Sequence, residues 1–353
     1  MSALARFNAA RPTTSRLSKA LIGTLLSLIV AGWIFTPATD VYVATAAAMA
    51  ISVMGLSILT GISGQVSLGN AGFMAIGAFT TAIWANHHEH FPIVLSLLGS
   101  MAVGALGGIA LGLPATRLRG PYLAGMTLAF GYVMTPFIQS LGSWTGGSGG
   151  LYFPVLETPR WFASLVGESE NLVGANARYQ AALAIVIAGV ALFFAANLSS
   201  SRVGRSMRLV RDDDVAAELV GVNLARTRVT AFAASAALAA LGGSLLALVA
   251  GAALPQTYGV ALSIELLSLL VLGGMGSIAG AIIAGILAAY TDQIMTKLNS
   301  LTGIDPFSNL GANMKGIIFG VVLITMMLAA PLGLVGLAKS LFAKVRRLRH
   351  SAN

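Results

Sequence analysis

Apolar runs of about 20 residues follow one another along almost the whole chain, and lysine or arginine interrupts them at only a few places. A run of that length is what an α-helix needs to cross the hydrocarbon core of a bilayer. Of 353 residues, 56% are hydrophobic and 9% charged, too little polar surface to cover a soluble domain. The fold class expected is all-α: a polytopic transmembrane helical bundle with about eight to ten spans, forming one transmembrane domain over 1–353. The 41 glycines, set against 7% aromatics, favour close helix packing over a bulky aromatic core. There is no cysteine, which excludes disulfides, thiolate catalysis and thiolate metal ligation.

The charges give the topology. All but four of the 21 lysines and arginines (Arg160, Arg178, Lys297 and Lys315) fall into four clusters. These are Arg6 to Lys19, Arg117 with Arg119, Arg202 to Arg228, and Lys339 to Arg349. Basic loops are retained in the cytoplasm, so each cluster is placed inside and an even number of crossings separates successive clusters. Spans are expected at 17–36, 41–60, 66–85, 92–113, 121–141, 179–197, 228–251 and 313–337. Between them lie an external loop at 142–178, a cytoplasmic loop at 198–228 and a basic cytoplasmic tail at 338–353. Residues 261–290 must contribute an even number of crossings, and Gly273, Gly274, Gly276 and Gly280 divide them. Two short helices meeting at a glycine turn are expected there, each arm shorter than a full span. Both termini are then cytoplasmic, and the first apolar run reads as an uncleaved signal anchor, being longer than a secretory signal core.

Two segments have a texture that regular helices do not carry. Residues 61–78, GISGQVSLGNAGFMAIGA, set five glycines among Gln65, Ser67 and Asn70; residues 272–285, LGGMGSIAGAIIAG, repeat the glycine and serine pattern. Irregular backbone at membrane depth must be satisfied by protein or by a water-filled cavity, and interrupted segments in two halves point to a transport path. Gln65, Ser67, Gly69, Asn70, Gly274, Gly276 and Ser277 are therefore candidates to line a passage. The plainer reading is that the glycines only let helices approach closely. Glu265 lies within an apolar run but near its outer end. The run His87-His88-Glu89-His90 reads as a solvated loop, not a metal site. Asp40 and Asp292 read as span-end residues without a legible partner.

The longest polar internal loop runs from Ser201 to Arg228. Arg205, Arg208 and Arg211 recur at three-residue spacing, and Asp212, Asp213 and Asp214 precede the apolar stretch Val215 to Val222. Acids at a helix N-terminus oppose the macrodipole favourably, and Gly221 with Asn223 makes a C-terminal stop. The spacing predicts a helix of about two turns across the inner face, with small Ala216 and Ala217 suited to docking in a cleft on a partner. An ordinary charged connector is the alternative.

The run Asp214-Val-Ala-Ala-Glu-Leu-Val-Gly221 resembles the EAA loop of ABC-importer permeases, with Val215 where that pattern has Glu and with Ala216, Ala217 and Gly221 matching. Further blocks follow in the order of one family: SGQVSLGNAGFMAIGAF (63–79), LRGPYLAGMTLAFG (118–131), TGGSGGL (145–151), GRSMRLVRDDDVAAELVGVN (204–223), AFAASAALAALGGSLLA (231–247) and SIELLSLLVLGGMGSIAGAIIAG (263–285). Together they resemble the branched-chain amino-acid permeases of the LivM type. That resemblance implies a second homologous permease subunit, two cytoplasmic ATPase subunits and a periplasmic or lipid-anchored substrate-binding protein in a bacterial inner membrane. It implies also that the 212–221 helix couples to the ATPase, with Arg205, Arg208, Arg211 and Asp212 to Asp214 around it.

The chain has no phosphate-binding Gly-Lys-Ser/Thr loop, so no catalytic residues and no cofactor are expected in it; ATP would be bound by partner subunits. The expected function is inward movement of branched-chain or related hydrophobic amino acids by alternating access. A permease for urea, short amides or aromatic acids is the near alternative. An ion-coupled secondary transporter is the distant one, although such machines keep membrane-embedded acids and only Glu265 is on offer.

Overall fold

The computed structural model describes residues 37–87, 92–118, 120–154, 158–159, 162, 172–302 and 334. The spans expected at 17–36 and, apart from residue 334, at 313–337, the tail at 338–353 and His88 to His90 lie outside the described residues. Helix α1 (Pro37–Leu56) runs directly into a π-helical turn (Ser57–Ile62). It is followed by α2 (Asn70–His87), α3 (Ile93–Ala115), α4 (Pro121–Ser140) and the single turn α5 (Gly142–Thr145). A two-residue strand, β1 (Leu151–Tyr152), comes next. The chain continues with α6 (Leu172–Ser200), α7 (Arg202–Asp212), α8 (Asp214–Leu219) and α9 (Leu224–Ala250). Then come β2 (Ala252–Ala253), α10 (Val260–Gly273) and α11 (Ile278–Thr302). The two strands pair antiparallel, Leu151 opposite Ala253, and tie two loops together at one end of the bundle.

Helices α1 and α9 form the centre. The most apolar windows of 39–62 and 224–250 are 83% and 72% buried, against 28% for those of α3 and for 174–200 in α6. Lipid tails are as apolar as leucine, so van der Waals contact between small residues holds such a core together. On α3, Gly104 and Gly108 lie one turn apart against α9; a β-carbon at either would come within 2.8 Å of the Ala236 carbonyl or 2.7 Å of the Phe232 carbonyl. On its other side α9 presents Gly242 to Ser52 of α1 and Gly243 to the Met74 backbone of α2. Opposite faces of α3 and α6 stay open, with Leu98, Leu106, Val190 and Phe193 exposed.

Two helices overrun the apolar windows that locate them in the sequence. Helix α6 begins at Leu172, inside the loop expected to reach 178. Its polar first turns are held by specific partners: Asn176 Oδ1 accepts hydrogen bonds from the Thr158 amide (2.9 Å) and hydroxyl (2.7 Å). Arg178 pairs with Asp40 at 3.5 Å, so Asp40 is not a partnerless span end; it is wholly buried against an arginine from α6. Helix α11 has 25 residues, so only α10, with 14, is shorter than a span. The expectation of two short arms fails because hydropathy registers only the apolar part of α11, 278–290.

Candidate functional site at the basic end of the bundle

The first glycine-rich segment is a re-entrant break. After the π-turn, the Ser63 and Gln65 amides bond back to the Ile58 and Leu59 carbonyls, each at 3.0 Å. Gly64, at φ +74, turns the chain. The following residues lead back alongside α1 without regular secondary structure. The Asn70 side chain donates to the Ser52 carbonyl (3.3 Å), and Ser52 lies ten residues before Ile62 on the same helical run. Helix α2 therefore starts inside the bundle. A segment without regular secondary structure leaves backbone groups to be satisfied by side chains. Thr127 of α4 accepts from the Leu68 amide (3.0 Å), and Ser263 of α10 accepts from the Ala71 amide (3.1 Å).

The second break is a tight turn, with Gly274 at φ +111 and Gly276 at φ +78. The two breaks touch. A β-carbon on Gly61 would overlap the Gly276 amide nitrogen, and one on Gly69 would sit 2.5 Å from the Thr127 carbonyl. Gln65, Ser67, Gly69 and Asn70 are buried, and so is Gly274; Gly276 is exposed and Ser277 half-buried. Five of the seven residues expected to line a passage are thus closed over in this conformation, and Gly61 and Gly69 serve close packing. Thr127 and Ser263, which complete the break, carry no sequence signal, since single hydroxyls are common in apolar helices.

The polar loop resolves into two helices, not one. Ser201 caps α7, its hydroxyl accepting from the Gly204 amide (3.2 Å), while Met207 and Val210 face inward. A serine cap followed by arginines at helical spacing is a start signal that the expected 212–221 helix left unused. Arg205 and Arg208 donate to the Ser200 (3.0 Å) and Ser199 (2.8 Å) carbonyls, the last of α6, where cations oppose the helix dipole. Arg211 donates to the Gly61 carbonyl at 2.8 Å and pairs with Asp212 at 3.0 Å. Arg228 of α9 joins Asp214 at 2.6 Å and the Thr116 carbonyl at 3.1 Å. The arginines placed around a partner by the sequence thus hold this chain's own carbonyls.

Helix α8 starts at Asp214 because Asp213 is extended (φ −159, ψ 113) and its carboxylate accepts from the Val215 (2.8 Å) and Ala216 (3.1 Å) amides. Asp212 instead ends α7. At the other end Gly221, at φ +81, donates to the Glu218 carbonyl (2.9 Å) and Val222 to that of Ala217 (3.0 Å), a Schellman stop. Asn223 caps α9, accepting from the Arg226 amide at 2.9 Å, and so takes no part in that stop. Of the two alanines expected to dock, Ala216 is exposed and Ala217 is wholly buried, because one side of so short a helix rests on its own bundle. The outward side carries Val215, Leu219 and Val220, which are 67%, 83% and 68% exposed. Beside α8 lies a cavity of about 290 Å³ between Ser63 to Gln65, Leu118, Gly120 and Leu123, and Val210 to Asp214. Gln65 donates to the Ser63 hydroxyl (2.6 Å) at its edge.

Residues 38–327, from the second residue of α1 to beyond the end of α11, match the family described as the permease component of branched-chain amino acid transport systems. The chain belongs to that family. It is a multi-pass membrane protein, and its relatives are transport permeases. It is 32% identical over 263 residues to the high-affinity branched-chain amino acid transport system permease protein LivM of Salmonella typhimurium, covering 70% of this chain and 61% of the relative. The same-named protein of Escherichia coli is 35% identical over 266 residues, with the same coverage. The permease protein LivH of Salmonella typhimurium is 27% identical over 297 residues, 81% of this chain and 91% of the relative. The chain spans about three-fifths of the length of the LivM relatives. No solved structure matches it. Both glycine breaks and the α7–α8 unit fall inside the matched region.

Proposed function

We propose that this chain is one permease subunit of an ATP-driven importer that carries branched-chain or related hydrophobic amino acids across the bacterial inner membrane. Family membership and the likeness to LivM and LivH support the transport class and the cargo. In this reading the arginine-bearing end and both termini are cytoplasmic, as the retention of basic loops requires. Two cytoplasmic ATPase subunits bind the ATP. A second homologous permease completes the membrane part, and a periplasmic or lipid-anchored binding protein delivers the solute.

One observation carries the reading. Helix α8 is a separate, doubly capped unit that turns Val215, Leu219 and Val220 outward on a charged rim, while Ala217 and the Asp214 to Arg228 pair seat it on the bundle. Exposed apolar side chains ringed by polar ones mark a docking site. Closure of the ATPase pair would press on this unit and bias the bundle between outward-open and inward-open states. Arg205, Arg208, Arg211 and Asp212 to Asp214 are already engaged within the chain, which suits a mechanical coupling and not chemistry at this position.

The test uses the whole complex in proteoliposomes. Leu219→Asp places a charge at the centre of the proposed contact and should remove the ATPases from the purified complex. Uptake should fall roughly tenfold or more, as expected for loss of an interface anchor. Normal uptake with ATPases retained would overturn the assignment of α8. Uptake driven by an ion gradient without ATP would replace the importer with a secondary transporter. Mass spectrometry of the metabolite held by the binding protein tests the cargo.

A further inference from the structure

We propose that Arg211 is the positioning residue that carries movement of α8 to the two glycine breaks. The proposal rests on the reading of α8 as the place where the ATPases push. Arg211 is in the last turn of α7, and only Asp212 separates it from Asp213, the residue that caps α8. No slack lies between the two helices, so displacing α8 displaces the arginine. The Asp214 to Arg228 pair, fixed in turn to the Thr116 carbonyl, anchors the start of α8 to α9 and supplies a pivot.

From there the path is short and made of hard contacts. The Arg211 guanidinium reaches a residue 150 positions away, the Gly61 carbonyl at the end of the π-turn. A charge-assisted bond to a helix-end carbonyl is both strong and directional. The arginine stem runs over Gly64, where any side chain would meet its Cγ, with Cβ and Cδ each at 3.2 Å. On the far side of Gly61 the backbone lies against Gly276 with no room for a methyl group. Pushing the Gly61 carbonyl therefore pushes the turn between α10 and α11. π-Turns inside α-helices recur at functional positions, and the cavity of about 290 Å³ beside Arg211 gives the side chain space to shift.

The neighbouring arginines show what a purely fastening role looks like. Arg205 and Arg208 bond to Ser200 and Ser199, the end of the adjacent helix, and reach neither break. They serve as internal controls.

The experiment measures ATP hydrolysis and solute uptake on the same reconstituted complex. Arg211→Met keeps the stem and removes the donors. It should leave the ATPases bound and hydrolysing while uptake per ATP falls roughly tenfold, the scale of one lost charged hydrogen bond in a two-state balance. Arg211→Lys restores one donor and should fall between the two, and Arg205→Met should keep the normal ratio. Because the chain has no cysteine of its own, a spin label on Met275→Cys, in a complex whose partner subunits are made cysteine-free, reports on the second break alone. Its response to trapped nucleotide should be present with Arg211 and absent in Arg211→Met. Hydrolysis and uptake falling in proportion, or an unchanged label response, would overturn the relay. If Arg211→Met does not assemble, the ratio in Arg211→Lys decides: lowered, it supports the relay; unchanged, it overturns it. A Leu219→Asp complex that still docks its ATPases removes the reading of α8 itself. Loss of docking there with a normal ratio in Arg211→Met removes only the relay.

Discussion

The break at 57–70 adds to its local hydrogen bonds several from distant parts of the chain, whereas the break at 274–277 closes on itself. Around the first, the distant partners are Thr127, Ser263 and Arg211, which are 59, 192 and 150 residues from the groups they satisfy. In the second, Ser277 donates its amide to the Gly274 carbonyl at 3.1 Å, and its hydroxyl accepts from the Gly280 amide at 3.2 Å. The two segments share a glycine and serine composition but not a mechanical character. The shape of the first is a property of the surrounding bundle, so any shift of α4, α7 or α10 reshapes it. The second keeps its own geometry and moves as one piece with the helices it joins. A transport cycle needs both kinds: a segment that registers movement elsewhere and a rigid joint for it to act upon.

The contact between the two is the place where the contrast can be broken outright. Gly61→Val puts a branched side chain where a β-carbon already overlaps the Gly276 amide nitrogen, and backbone cannot rotate aside as a side chain can. The breaks would have to separate, at about 3 kcal/mol or more for a forced overpacking. A denaturation midpoint of the purified chain in an SDS titration measures it. A midpoint equal to that of the unsubstituted chain would mean that the two breaks are not joined through Gly61.

A smaller effect tests the distant hydrogen bonding. Ser263→Ala leaves the Ala71 amide, in the first turn of α2 and within the bundle, without its acceptor. A buried donor left unsatisfied costs about 1–3 kcal/mol. The same titration should register that loss, and hydrogen exchange at the Ala71 amide should accelerate. Unchanged exchange would place the acceptor elsewhere and make the first break as self-sufficient as the second.

How much of this was legible in the sequence follows from the range of the interactions. The glycine runs located both breaks, and the spacing of apolar and basic residues located most helices, because those signals are local. Gly221 marked the end of α8 for the same reason: a residue at positive φ is needed there. The meeting of Gly61 with Gly276 was not legible, since nothing local distinguishes a glycine that touches another backbone from one that turns the chain. The direction of the arginines was hidden too. Every helix end offers carbonyls, so Arg205, Arg208 and Arg211 read equally well as facing a partner or facing their own bundle. The caps at Ser201 and Asp213 were visible as residue types, but the extended backbone at Asp213 divides the loop into two helices, and tertiary seating of Ala217 and Asp214 decides that.

Ser277→Ala should have the smallest effect, and the reason lies in what survives. The substitution removes the hydroxyl that accepts from the Gly280 amide at the start of α11, a helix cap worth about 1 kcal/mol. It leaves the backbone bond from Ser277 to Gly274 in place, and the turn is partly open to its surroundings, with Met275 and Gly276 exposed. Exchange should accelerate at Gly280 and the adjoining first-turn amides of α11, and not at Ala71. The loss in the titration should be smaller than that of Ser263→Ala although each change deletes one hydroxyl. If the order reverses, the second break is the one held by the rest of the bundle. Movement would then have to pass from it to the first, opposite to the path through Arg211.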